Sequence, residues 1–288
     1  MLRRHRLGVP AFVVTVVYLT ALAVAVVVAL AAGDLAALWW ATLFTEPDAS
    51  VQATGPNVLL LALAGLVVAW VLWQCLRGPL TGPLTGPLTG PLTGPLTGPQ
   101  AGAEDGSPVE RDRGTRRLRV VLYVAAAASI AELLLVTWIW WALLVMVVPG
   151  AAMVLVLSPA VGRTRRHGRV LLVCGILGYL GTALGFVLVL SGYEAGVIPL
   201  IGGLLYLLWQ VLVLRAQWDD PRWQRATVKY GILGMVLPFV LTMAGAPIGV
   251  PWDAYQEVVS VAGLLSVVWM ARSAHDLAAP RPVPVPSA

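Results

Sequence analysis

The stretch SIAELLLVTWIWWALL, residues 129–144, sets one carboxylate, Glu132, inside an apolar run suited to lipid. An ionisable side chain at mid-membrane costs about 2.5–3.5 kcal/mol on insertion scales, and each Leu, Ile or Val returns about 0.3–0.6 kcal/mol. Nine such residues lie between Val120 and Val136, so the helix can still insert. Glu132 precedes Trp138 by six residues, about 9 Å of helix below the outer interface. A carboxyl at that depth is a candidate proton or cation site on a transport path. The competing role is a hydrogen bond to a neighbouring helix that fixes packing. Ser129, Ala125 and Ala128 lie within one or two turns, a small-residue face that points position 132 toward a bundle interior.

A second group of acids falls at the outer ends of the apolar runs: Asp34, Glu46, Asp48, Glu194, Asp253 and Glu257. Asp253 and Glu257 are spaced i,i+4 and share a helix face beside Trp252 and Tyr255. With Glu194 and Asp34 they are candidates for attracting a cation, through charge and through ring faces. Ordinary solvated loop charge is the simpler reading. Gly175, Gly178, Gly181 and Gly185 form a side-chain-free stripe within one apolar run, including a GxxxG, and predict close helix packing. Pro149, beside Gly150, and Pro238 are candidate kinks.

The absences are informative. The three histidines, His5, His167 and His275, read as flanks of the spans, so paired haem ligands and an HExxH zinc site are unsupported. No aspartate or lysine lies deep in an apolar run, and there is no GxxxxGK[ST] loop and no CxxC. No metal or cofactor is expected. Cys75 and Cys174 read as free thiols.

The elements that must position these residues are helices crossing a bilayer. Of the 288 residues 59% are hydrophobic and 11% charged, with mean hydropathy +0.84. Soluble domains carry about 25% charge, so the expected fold is an all-α, polytopic helical bundle. Runs of span length occur at 9–32, 57–76, 170–190, 197–214, 230–248 and 254–271. The stretch 120–161 is too long for one span and folds as two, about 118–136 and 141–161, turning through TWIWW.

Eight spans with both termini in the cytoplasm put all 19 basic residues on one side. A single span at 120–161 would separate RGTRRLR from RTRRHGR. The net charge of +5 therefore reflects orientation, and no nucleic acid is implied. Tryptophans appear at both sets of ends: Trp39, Trp40, Trp138, Trp140, Trp141 and Trp252 outside; Trp70, Trp73, Trp209, Trp218, Trp223 and Trp269 inside. The basic, apolar amino terminus resembles a signal peptide, but its run from Val9 to Ala32 is span-long and reads as uncleaved.

Four regions follow: 1–76, two spans and an outer loop; 77–119, a cytoplasmic loop; 120–271, six spans; and 272–288, a disordered cytoplasmic tail. The loop carries five copies of PLTG from Pro79 to Gly98, and proline at every fourth position forbids a helix there. The Ala-, Val- and Arg-rich composition suggests a bacterial cytoplasmic membrane. The leading function class is a small permease with Glu132 as its ionisable site. An accessory or scaffold subunit, meeting a protein partner through loop 77–119, comes second. A lipid-modifying enzyme comes last, for want of a second buried catalytic group. Apart from such a partner, the implied surroundings are the lipid bilayer.

Overall fold

The computed structural model describes residues 5–43, 51–79, 108–135, 142–161, 165–194, 196–246, 248 and 250–278. Every regular element among them is a helix: α1 Gly8–Ala32, α2 Ala36–Leu43, α3 Gly55–Leu76, α4 Pro108–Leu135, α5 Ala142–Val161, α6 Arg165–Leu190, α7 Ile198–Trp218, α8 Arg225–Ala244, α9 Trp252–Ala262 and α10 Leu264–Asp276. Six stretches are long and apolar enough to cross a membrane: Gly8–Ala32, Gly55–Leu76, His167–Val189, Ile198–Trp218, Arg225–Ala244 and Val258–Asp276. That is the pattern of a multi-pass membrane protein. Helices α4 and α5 occupy the disputed stretch 120–161 and pack on each other. The turn expected at TWIWW, 137–141, lies outside the described residues.

Local chemistry sets several ends. Gly33 takes the left-handed conformation, φ 69°, and its N–H closes α1 on Ala29 O. The Asp34 carboxylate accepts the Ala36 N–H at 2.8 Å and starts α2. Pro56 and Pro199 sit in first turns, where a missing N–H costs nothing.

The helices differ sharply in burial. The apolar window of α1 is 17% buried, and its Val13, Val17, Val27 and Leu30 face outward as lipid-facing residues do. The window Val258–Asp276 is 78% buried. Helix α10 packs on α3, α4, α8 and α9 and is the central post of the bundle. The most extensive pairing is α6 on α7. There a Cβ on Gly178 would run into the Tyr206 backbone nitrogen, and one on Gly181 would lie 3.0 Å from Gly202 Cα. Gly185 faces Pro199 at 2.7 Å and Gly175 faces the Trp209 ring at 2.7 Å, so all four glycines lie against α7.

Pro149 and Pro238 lie inside α5 and α8, which run on past them. The last spanning stretch tightens at Gly263, between α9 and α10, where the backbone stays helical at φ −61° and ψ −23°. There Gly263 N–H donates to Ser260 O and Ser266 N–H to Gly263 O, both at 2.9 Å, tightening one turn. The last span is also displaced: α10 runs on to Asp276, so 272–276 belong to the bundle and not to a tail. Helix α4 begins at Pro108, so the last part of the expected loop, 108–119, is helical. Residues 80–107, with nearly all of the PLTG repeat, lie outside the described residues.

The tryptophans are not all interfacial. Trp209 and Trp269 are 0% and 1% exposed, and Trp39 and Trp223 are buried too. Each of the first two has an internal acceptor for its indole N–H: Ser158 Oγ at 3.1 Å and Gln217 Oε1 at 2.8 Å. A satisfied indole loses its reason to seek water.

Candidate functional site

The last two turns of α10 carry Arg272, His275 and Asp276 at helical spacing, all buried, at 7%, 5% and 9% exposure. Neutral side chains alone do not retain a guanidinium at such depth cheaply, so this end of the bundle is the candidate site. Other elements build it around α10. Helix α3 brings Trp73, Gln74 and Cys75. Helix α4 brings Tyr123. The end of α7, the α7–α8 connection and the start of α8 bring Gln217, Gln224 and Thr227 in turn. The segment before α1 brings His5.

Arg272 reaches across the bundle. One terminal nitrogen donates to Gln74 Oε1 at 3.4 Å and the other to Gln224 Oε1 at 3.3 Å, while Nε has no partner among the described residues. These are long bonds to neutral acceptors. Asp276, one turn on, supplies the nearest negative charge. Its carboxylate is already engaged, accepting from Thr227 Oγ1 at 2.7 Å and from Gln224 N–H at 3.0 Å. Asp276 therefore caps the start of α8 from a different helix, where the exposed N–H groups favour an anion.

His275 lies against Tyr123, ring centroids 5.6 Å apart, and is within electrostatic reach of Arg272 and His5. Its Nδ1 is buried without a partner among the described residues, as is Nδ1 of His5. His5 meets Trp73 edge-on at 6.4 Å. Its pKa is held below the usual 6.5, first by burial and then by the charge of Arg272, against an opposing hydrogen bond with Gly78. The site thus gathers one fixed cation, two imidazoles and one carboxylate around a post shared by α3, α4 and α8.

A second polar lock lies beside it. Arg222 pairs with Asp220, Nε to Oδ2 at 2.7 Å, and donates to Ala160 O at 2.9 Å, tying the α7–α8 connection to the end of α5. Burial alone would raise the Asp220 carboxyl, but the hydrogen bonds and charge of Arg222 more than reverse it and hold it low.

The residues singled out by sequence lie elsewhere. Glu132 sits in the last turns of α4, and its side chain is outside the described residues; so are those of Asp253 and Glu257 in α9. Asp34 caps α2, and Glu194 is exposed after α6. No contact brings Asp34 and Glu194 together among the described residues. Reading Arg272 and His275 as a solvated flank missed the site. The signal available was their spacing: positions 272, 275 and 276 share one helix face directly after an apolar run. Among the described residues no group of three His, Cys, Asp or Glu side chains is arranged to hold a metal ion, and Cys75 and Cys174 are free. The chain matches no family model, and no curated protein or solved structure is similar enough to it to show kinship.

Proposed function

We propose that this multi-pass membrane protein is a small permease. In this reading it crosses the bacterial cytoplasmic membrane eight times with both ends inside, and ionisable groups along the α4–α10 interface form its path. The observation that carries the reading is the buried Arg272–His275–Asp276 face on the central helix. Ionisable side chains inside a spanning bundle are expensive, and conducting or coupling paths are where they are retained. Helix α4, which packs on α10, links this face to Glu132. Tyr123 of α4 touches His275, and position 132 lies nine residues on, about 14 Å further along the axis and half a turn round it. The row Leu118, Leu122 and Ala125, buried on α4, reaches position 132 by helical register.

The antiparallel path supports the eight-span topology. The starts of α1 and α8, the ends of α3, α7 and α10, and the middle of α4 all contribute to the Arg272 cluster. The end of α5 joins them through Ala160. The basic side chains Arg77, Arg119, Arg215, Arg222, Arg225 and Lys229 belong to these same helix ends, as cytoplasm-facing charges do.

The test compares cells expressing the protein with cells expressing Glu132→Gln at equal membrane abundance, by untargeted measurement of small solutes inside the cells. The reading expects at least one solute to change with the unaltered protein and to return to the level of non-expressing cells with the variant. Identical solute profiles for the two proteins would remove it.

A further inference from the structure

We propose that His5 and His275, gathered round the Arg272 guanidinium, form an acid-sensitive clasp. It holds the segment before α1 on the ends of α3 and α10 at neutral pH and releases it when protons bind. The clasp itself is slight. Arg6 N–H donates to Pro79 O and Leu7 N–H to Arg77 O, both at 3.2 Å, and the His5 ring rests on Trp73. Gly78 turns beneath it at φ 73°, where a Cβ would lie 3.5 Å from the Leu7 nitrogen.

The charges facing the two imidazoles come from every helix packed there. Helix α10 presents Arg272 and Asp276, α3 presents Arg77 and the Cys75 thiol, and α4 presents Tyr123 with Arg119 one turn before it. From the start of α8, Gln224 and Thr227 face the cluster and already occupy the Asp276 carboxylate, while Arg225 and Lys229 on the same turns are exposed. Among the described residues one anion therefore serves a site where Arg77 and Arg119 already stand near Arg272, and acid adds a further cation at His5. Histidine is the side chain that titrates in the relevant range, about pH 5–8. Buried like charges repel strongly, and the weakest attachment yields first. Helix α10 is held by four helices, whereas the segment before α1 is held by two long backbone bonds, the His5–Gly78 hydrogen bond and the edge contact with Trp73. Release therefore occurs at the N-terminal segment.

Hydrogen exchange of the purified full-length protein in lipid nanodiscs tests this, at about pH 7.5 and about pH 5, with rates corrected for the intrinsic pH dependence of exchange. The peptide covering residues 6–11 should lose protection by about tenfold at the lower pH, while α7 and α10 stay protected. In the double variant His5→Gln, His275→Gln the same peptide should show equal protection at both pH values. Unchanged protection of residues 6–11 in the unaltered protein would overturn the proposal. So would loss of protection throughout the bundle, or the same acid response in the double variant. The wild-type comparison stands alone should the variant fail to fold. Because no transport is measured, the outcome is independent of the permease reading.

Discussion

Arg272 and Asp276 should behave as an electrostatic pair even though each hydrogen-bonds to other groups. They stand i,i+4 on α10, a spacing that sets their Cβ atoms about 6 Å apart, and the charges are taken to be at about the same separation. At that distance and an effective dielectric constant of about 20, their attraction is about 3 kcal/mol. The two bonds from Arg272 to Gln74 and Gln224 are long, at 3.4 and 3.3 Å, and add little. Arg272→Met alone leaves a buried carboxylate without its cation and should cost about 3 kcal/mol of unfolding free energy. Asp276→Asn keeps an oxygen for Thr227 and the Gln224 N–H but leaves the guanidinium uncompensated, and should cost a similar amount. With both changed, no buried charge remains and stability should return to within about 1 kcal/mol of the unaltered protein. The assay is denaturant unfolding of purified protein in detergent, followed by helicity, for all four proteins in one cycle. Additive losses in the double variant, about 6 kcal/mol in total, would refute the pairing.

Two further outcomes follow from the packing and the polar locks. Gly178→Ala should destabilise by about 1–2 kcal/mol, because the new methyl meets the Tyr206 backbone, which cannot yield without parting α6 from α7. Gly203→Ala, where nothing lies within 4 Å, should gain up to about 1 kcal/mol from helix propensity; thermal unfolding of the two variants side by side checks the contrast. Asp220→Asn should cost only about 0.5–1 kcal/mol at neutral pH, since the Asp220–Arg222 pair is partly exposed. Its folded carboxyl is held below 3.8, so the contribution is complete above that value. It is lost as pH falls through the folded value, and the variant and the unaltered protein should then unfold alike.

Hydropathy made most helices legible because lipid-facing side chains must be apolar whatever they pack against. The run read at 9–32 is the helix Gly8–Ala32, and that at 57–76 is Gly55–Leu76. The same logic failed where the protein itself replaces lipid as the solvent. At the end of α10 it stopped the span before Arg272, although three helices close over that side chain. It assigned Trp209 and Trp269 to an interface, although Ser158 and Gln217 satisfy them inside. Hydrogen-bond partners more than 50 residues away leave no local trace in a sequence. The glycine stripe could be read from its spacing, but the identity of the helix opposite, α7, could not. The Arg-rich residues 111–119 looked like loop because their polarity masks a helical backbone that continues directly into the apolar part of α4. Glu132 was conspicuous because it is charged among apolar neighbours. The amides Gln74, Gln217 and Gln224 are quieter signals, yet they are what surrounds Arg272 and its neighbours.

The orientation of the bundle is the claim on which the permease reading and its eight-span topology depend. Labelling of single introduced cysteines in intact cells, with a membrane-impermeant thiol reagent and with Cys75 and Cys174 replaced by serine, tests it directly. Ile248 is 100% exposed at the end of the bundle opposite the Arg272 cluster, and a cysteine there should label from outside. A cysteine at Asp219, exposed beside the cluster, should label only after the cells are permeabilised. Labelling of position 219 in sealed cells, with position 248 protected, would invert the map and contradict the account.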